Sequence, residues 1–174
     1  MSLRDTLLIA AEVGLYRPHW SGHILEETRD TLVRLPQLNM TRAQADKMVT
    51  SIMAAFPEAS VRGYQPLIDA MTNDPGDRHV LAAAVRIGAH VIVTINTKHF
   101  PASALDPWDI EAQRPDQFLT GLFDLNPDAA LRVIETQATQ TRRPSLTVER
   151  VLNNVKQFAP TLVARVHAAR QEHG

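Results

Sequence analysis

The spacing of apolar side chains predicts that the chain begins with helices. An apolar stripe at helical spacing follows Ser2 and Asp5, which together resemble a capping box, and it ends near Gly14. Ser21 is a preferred helix-capping residue, and it precedes a second such stripe that Pro36 follows closely. The pattern therefore predicts two helices joined by a short link.

A third helix and two short elements follow. Thr41 and Gln44 form another capping box, and Pro57 ends the apolar stripe that comes after it. Residues 59–62 are predicted to form a short strand, and residues 66–71 a helical turn.

The segment around Asp77 is the most informative about the fold class. Asp77 opens a predicted helix with a broad apolar face, and Gly88 is a residue type that commonly ends helices. Residues 91–93 are Val-Ile-Val, which is typical of a parallel strand buried on both faces, and residues 94–99 are then the loop at its carboxyl end. A helix followed by such a strand indicates an α/β fold.

From Pro115 onward the apolar spacing is helical throughout, after a last predicted strand at residues 110–112. Prolines interrupt this helical pattern at three points, Pro127, Pro144 and Pro160. We therefore predict two domains, an α/β domain at residues 1–111 and an all-helical carboxyl-terminal extension at residues 112–174.

Composition narrows the function classes. The 174-residue chain has no cysteine, which excludes disulfides and thiolate metal sites and fits a reducing cytosol. Its formal net charge is -1, so the chain does not have the strongly basic composition typical of many nucleic-acid-binding domains. No apolar run approaches the roughly 18 residues of a membrane span, and the amino terminus does not resemble a signal peptide. We expect a soluble, cytoplasmic protein without a membrane partner.

Four side chains are candidates for a metal site that hydrolyses phosphodiesters. This reaction needs a polarised phosphate and an activated water, and one or two Mg2+ or Mn2+ ions held by carboxylates supply both. The candidates are Glu27 on the second helix, Asp74 and Asp77 before the fourth, and Asn96 after the strand. Strand carboxyl ends and helix amino ends meet at one edge of an open α/β sheet. On local pattern alone, the two aspartates are equally well explained as a turn residue and a helix cap.

Three segments stand in a distinctive order along the chain: SLRDTLLIAAEVGLYRPHW, WSGHILEETRDTL and DPGDRHVLAAAVRIGAHVIVTINTKHF. Over residues 2–111 they resemble the PIN-domain ribonucleases, specifically the VapC-type toxins of bacterial toxin-antitoxin pairs. The tail that begins PDQFL resembles a helical extension carried by one branch of these toxins. The resemblance implies a parallel sheet flanked by helices and a Mg2+- or Mn2+-dependent endoribonuclease. It also implies inhibition by a small antitoxin protein.

The resemblance assigns roles to individual residues. Glu27 matches the family acid of the second helix and Asp77 the acid that opens the helix before the strand, so both are expected to be catalytic and to hold the metal. Asp74 matches a second acid, expected to shape the loop or to assist from the outer shell. Apart from the resemblance, Arg78 is expected to contact RNA phosphates because it adjoins the proposed site; Arg4 is a second candidate for such a contact, although an ordinary surface role is favoured for it.

Other positions depart from the family pattern. Asn96, expected to assist catalysis, and His99 both stand where the family usually has aspartate, so each removes a charge that would hold the ion. Glu26 is an alternative to its neighbour as the ligand. Because His79, His90 and His99 lack the HExxH spacing, a zinc site is not expected.

The first family strand, which carries another acid, is missing from the start of this sequence, where Met1 and Ser2 take the place of its end. A missing central strand leaves backbone groups unpaired, at a cost of about 1–3 kcal/mol for each buried group. We therefore expect a homodimer, strand exchange or a rearrangement that closes the gap.

Two other functions stay open at this stage. One is a catalytically inactive PIN-like module that binds an antitoxin or RNA, or self-associates, as the missing acid and the changes at Asn96 and His99 suggest. The other is a helical interaction protein in which the tail is the working part. No GxxxxGK[ST] or GxGxxG pattern occurs, which argues against nucleotide-cofactor chemistry.

Overall fold

The computed structural model describes residues 3–140 and 146–172, and within these ranges the chain forms nine α-helices, six short 3-10 helices and four short strands. The helices are α1 (Leu3–Glu12), α2 (Gly22–Arg34), α3 (Arg42–Ala55), α4 (Arg78–Ile87), α5 (Ala102–Leu105), α6 (Pro115–Leu125), α7 (Pro127–Gln140), α8 (Val148–Val155) and α9 (Pro160–Glu172). The strands are β1 (Trp20–Ser21), β2 (Ser60–Val61), β3 (Val91–Val93) and β4 (Glu111–Gln113). None of the described helices is both long and apolar enough to cross a bilayer.

The first sheet is a parallel pair of two-residue strands. β1 pairs with β2, and Trp20 lies opposite Ser60. The prediction of a strand at residues 59–62 is confirmed in a shorter form. β1 was not predicted, because two residues are too few to show the alternation that identifies a strand.

The second sheet joins β3 to β4. The Glu111 N–H donates to the His90 carbonyl at 2.9 Å, and the Thr94 N–H donates to the Gln113 carbonyl at 2.9 Å. These bonds advance in the same direction along both strands, as in a parallel pair. The α/β fold class is confirmed. The expectation that β3 is buried on both faces is wrong, because only its central residue, Ile92, is buried and the two flanking valines are half-buried.

Helix ends follow the capping signals in the sequence. The Ser21 hydroxyl accepts a hydrogen bond at 3.2 Å from the N–H of the third residue of α2. Thr41 and Gln44 form the predicted capping box, in which the Thr41 N–H donates to the Gln44 side chain at 2.8 Å. Gly88 ends α4 with a φ of 64°, in the left-handed region that glycine adopts without strain. The other predicted capping box includes Ser2, which lies outside the described residues.

The chain divides into two compact units. We call the first the helical unit, which contains the described residues of the ranges 1–17, 93–97 and 113–174. Its core is formed by apolar side chains of α1, α6, α7, α8 and α9. The helical pattern predicted from Pro115 onward is confirmed for the described residues, whereas residues 112 and 113 belong to β4. The predicted interruption at Pro144 lies outside the described residues.

We call the second the site unit, which consists of residues 18–92 and 98–112. Its core surrounds α4 and includes the fully buried Leu81 and Met71. The compact units group α1 with the carboxyl-terminal helices, so they differ from the predicted domains at residues 1–111 and 112–174. That domain division stays a prediction.

Candidate metal centres

Two clusters of metal-ligating side chains lie near the start of α4, and both belong to the site unit. The acidic cluster consists of Asp74, Asp77 and His99, and the histidine cluster consists of His23, Glu27 and His79. In each cluster every member offers a ligand atom within 4.8 Å of the others. Glu27 and Asp77, which the sequence assigned to one metal site, therefore belong to separate clusters.

A tight turn before α4 sets the backbone of the acidic cluster. The Asp74 carboxylate accepts a hydrogen bond from the Gly76 N–H at 3.0 Å, and the Asp77 N–H donates to the Asp74 carbonyl at 2.9 Å. The Asp74 N–H donates to the His99 carbonyl at 3.1 Å, which ties the loop after β3 to this turn. Asp74 is thus a turn residue, as its local pattern predicts.

The Asp77 side chain makes no capping hydrogen bond at the start of α4 and contacts His99 instead. Its Oδ2 lies 2.5 Å from His99 Nδ1, and Asp74 Oδ1 lies 4.0 Å from the same nitrogen. All three side chains are half-exposed. The explanation of Asp77 as a simple helix cap is therefore disfavoured, because its carboxylate belongs to a cluster that has access to solvent.

The histidine cluster is built by α2 and α4. His23 and Glu27 are four residues apart on α2 and lie on one face, with His23 Nε2 3.9 Å from Glu27 Oε1. His79, the second residue of α4, places its Nε2 3.3 Å from Glu27 Oε2. The two imidazoles stack with their centroids 3.8 Å apart and their planes at 23°. Each oxygen of the Glu27 carboxylate thus faces a different histidine.

His79 is the buried member of this cluster, with 4% of its surface exposed. Neither of its ring nitrogens makes a hydrogen bond of good geometry with the described residues. Its Nε2 lies 3.3 Å from a Glu27 oxygen, but this contact does not meet hydrogen-bond geometry. Burial lowers the pKa of His79 below its usual 6.5, and the nearby Glu27 charge opposes that shift. Burial therefore favours the uncharged form of the ring.

Glu26, the alternative ligand, lies in a different environment from Glu27. Its carboxylate forms an ion pair with Arg29 at 2.9 Å and another with Arg42 of α3. The hydrogen bond from Arg42 lowers the pKa of Glu26. These contacts account for Glu26 as a surface ion-pairing residue and favour Glu27 as the ligand.

The remaining predicted residues make separate contacts. Arg78 begins α4 in the site unit, and its Nε is buried without a hydrogen-bond partner among the described residues. Arg4 forms an ion pair with Asp5 at 2.6 Å in the helical unit. Asn96 is exposed in the same unit, and its N–H donates to the Thr94 hydroxyl at 3.0 Å. The RNA and catalytic roles of these residues stay predictions.

Sequence reasoning missed the pairing of histidines with the acids. The four-residue spacing of His23 and Glu27 on a predicted helix was a usable signal, because such residues share a face. No local signal identifies His79 or His99 as their neighbours, because each is brought to its carboxylate by packing between distant segments.

Comparison with known proteins gives two family matches. A model described as the PIN domain matches residues 2–98, and one described as the VapC50 C-terminal domain matches residues 115–168. A protein of Mycobacterium tuberculosis (strain ATCC 25618 / H37Rv) named "Putative ribonuclease VapC50" is 42% identical over 116 residues, which is 67% of this chain and 69% of that protein. No solved structure matches the chain.

Proposed function

This chain belongs to the PIN-domain family, in its branch of VapC-type toxins, and from that premise we propose that it is a metal-dependent endoribonuclease of a toxin-antitoxin pair. It cleaves RNA phosphodiesters with a water molecule activated at a divalent ion. The observation that carries the proposal is the clustering of Asp74 and Asp77 at the start of α4, within the region that the PIN-domain model matches.

Glu27 and Asp77 are the proposed metal ligands, and Asp74 and Asn96 assist them. The ion is Mg2+ or Mn2+, because hard cations prefer oxygen ligands and the acidic cluster offers two half-exposed carboxylates. When bound, such an ion polarises the phosphate and lowers the pKa of water. The acidic cluster fits this ion if His99, which contacts Asp77 at 2.5 Å, moves aside or serves as a nitrogen ligand. Glu27 belongs to the other cluster, so it reaches the same ion only if its carboxylate turns away from His23 and His79.

The protein groups around the cluster bind and orient RNA. The amino end of the ten-residue helix α4 favours an anionic phosphate, and Arg78 adds a charge at that end. Arg4 is a further phosphate contact in the proposal. His99 Nδ1–H can donate to Asp77 Oδ2, which fixes the orientation of that carboxylate.

The proposed partners follow from the family. They are an RNA substrate, a small antitoxin protein and a second copy of this chain, all in the cytoplasm. Self-association is supported by the two sheets, because each has only two strands among the described residues and so presents unpaired edges. The alternative is a catalytically inactive module that binds an antitoxin or RNA, and the contact between His99 and Asp77 favours it, since this contact occupies a proposed ligand.

Amide variants of the proposed ligands, with Glu26→Gln as the matched control, test the proposal. RNA cleavage is measured with Mg2+ or Mn2+ for the natural chain and for Glu27→Gln, Asp77→Asn and Glu26→Gln, with EDTA as a further control. We expect losses of at least about 100-fold for Glu27→Gln and Asp77→Asn, as for other groups that hold an ion, and an almost unchanged rate for Glu26→Gln. Cleavage that survives EDTA contradicts metal dependence. A folded chain that cleaves no RNA supports the inactive module.

A further inference from the structure

We propose that His23, Glu27 and His79 form a binding site for a divalent transition-metal ion such as Zn2+, separate from the oxygen-rich cluster of Asp74 and Asp77. The inference rests in part on the proposed function, because Glu27 is also a proposed ligand of the nuclease ion. Binding of the transition ion itself requires no RNA cleavage, so the two proposals are tested separately.

The distances between the ligand atoms suit such an ion. Bond lengths near 2.1 Å place the donor atoms of a tetrahedral zinc site about 3.4 Å apart. His79 Nε2 lies 3.3 Å from one Glu27 oxygen, and His23 Nε2 lies 3.9 Å from the other. The carboxylate therefore needs little movement to share an ion with both imidazoles.

The His23 ring supplies the necessary adjustment. Its near-parallel stacking on His79, at 23°, must open before both Nε2 lone pairs can point at one ion. The His23 side chain is 53% exposed, so its ring has room to turn. His79 is buried and contacts both His23 and Glu27, which makes it the pre-positioned ligand.

The burial of His79 is an independent indication of a ligand. A ring with 4% exposure and no aligned hydrogen bond at either nitrogen, among the described residues, is unusual for a polar group. Coordination at Nε2 would satisfy one of these buried atoms.

The donor set also selects the class of ion. Imidazole nitrogen favours Zn2+, Co2+ and Ni2+, whereas Mg2+ prefers oxygen and water. Two histidines and one glutamate leave a fourth position to water, as in open zinc sites. Because the ion would occupy Glu27, we expect Zn2+ to inhibit any Mg2+-dependent cleavage that uses this residue.

Cobalt absorption provides the test. The metal-free full chain is titrated with Co2+, whose visible absorption reports nitrogen and oxygen ligands, and the Co2+ is then displaced with Zn2+. Variants His23→Gln, His79→Gln, Glu27→Gln and Asp77→Asn are compared with His90→Gln, which changes an exposed histidine of the site unit outside both clusters. We expect Co2+ affinity to fall at least about 10-fold in His23→Gln and to stay unchanged in His90→Gln, while Asp77→Asn should retain the His23-dependent Co2+ absorption.

Each outcome decides the proposal. His79→Gln risks misfolding because the residue is buried, so the exposed His23 carries the test. Unchanged Co2+ binding in His23→Gln overturns the site, and so does binding that is lost in Asp77→Asn, which would place the ion in the acidic cluster. Absent RNA cleavage combined with His23-dependent Co2+ binding would refute the nuclease alone. Asp77-dependent cleavage combined with His23-independent Co2+ binding would refute the transition-ion site alone.

Discussion

Replacing Thr6 with valine should destabilise the protein, because the substitution removes a partner of a buried glutamine. Thr6 on α1 is 0% exposed and Gln137 on α7 is 1% exposed. The Gln137 amide donates to the Thr6 hydroxyl at 3.0 Å, and this hydroxyl lies 3.3 Å from the Gln137 carbonyl oxygen. Valine nearly matches threonine in shape, so the packing stays while the hydrogen bonds are lost.

The expected magnitude follows from the burial. A buried polar group that loses its partner costs about 1–3 kcal/mol of unfolding free energy. Gln137 makes a further interaction, so we expect about 1–2 kcal/mol for Thr6→Val and a similar value for Gln137→Leu. The double variant removes both polar groups and should cost less than the sum, with a coupling of about 1 kcal/mol.

Urea unfolding followed by circular dichroism measures these values. The urea concentration at the unfolding midpoint should fall in each single variant. The dependence of the unfolding free energy on urea concentration should stay the same, because the surface exposed on unfolding hardly changes. Thr139→Val, at an exposed position on α7, is the control and should stay within about 0.5 kcal/mol. A Thr6→Val midpoint equal to that of the control, or strict additivity in the double variant, would refute the reasoning.

Two further predictions concern the site unit. Leu81→Ala should lower the free energy of unfolding in urea by about 2–5 kcal/mol, because Leu81 is fully buried. Ile87→Ala, at the exposed end of the same helix, should lower it clearly less, and equal losses would contradict the core assignment. The second prediction concerns acid stability in EDTA. The pKa of His79 is lowered in the folded state, so as the pH falls below 6.5 this histidine binds a proton in the unfolded chain before it does so in the folded chain. The free energy of unfolding should therefore decrease between pH 6.5 and the lower pKa of the folded state. Thermal melts of His79→Gln should show a weaker decline than those of His90→Gln, and parallel declines would count against a neutral buried His79.

Most of the fold was predictable because its signals are local. The caps at Ser21 and Thr41 and the end at Gly88 depend on residues within one helical turn, and each appears as predicted. The strands carried weaker signals. β1 and β2 have two residues each, and their pairing depends on segments about 40 residues apart, which no local pattern encodes.

The candidate site was predictable only in its composition. The turn from Asp74 to Asp77 could be read from the sequence because Asp and Pro have strong turn preferences. The contacts of His79 with Glu27 and of His99 with Asp77 arise from tertiary packing. Sequence reasoning therefore proposed the acids, whose roles stay predictions, and the structure shows the imidazoles that lie beside them.

Because α1 packs against α7, the order in which the helices reach their native contacts differs from the order in which they are translated. Thr6 and Gln137 are 131 positions apart, so α1 leaves the ribosome long before its partner has been translated. Residues 18–112 contain the whole site unit and are translated earlier than α7. Until α7 has been translated, the apolar side chains of α1 lack their native partners on that helix. Both ligand clusters lie in the site unit and can form before then. α1 is thus among the last helices to reach its native place, although it is translated before every other helix described here.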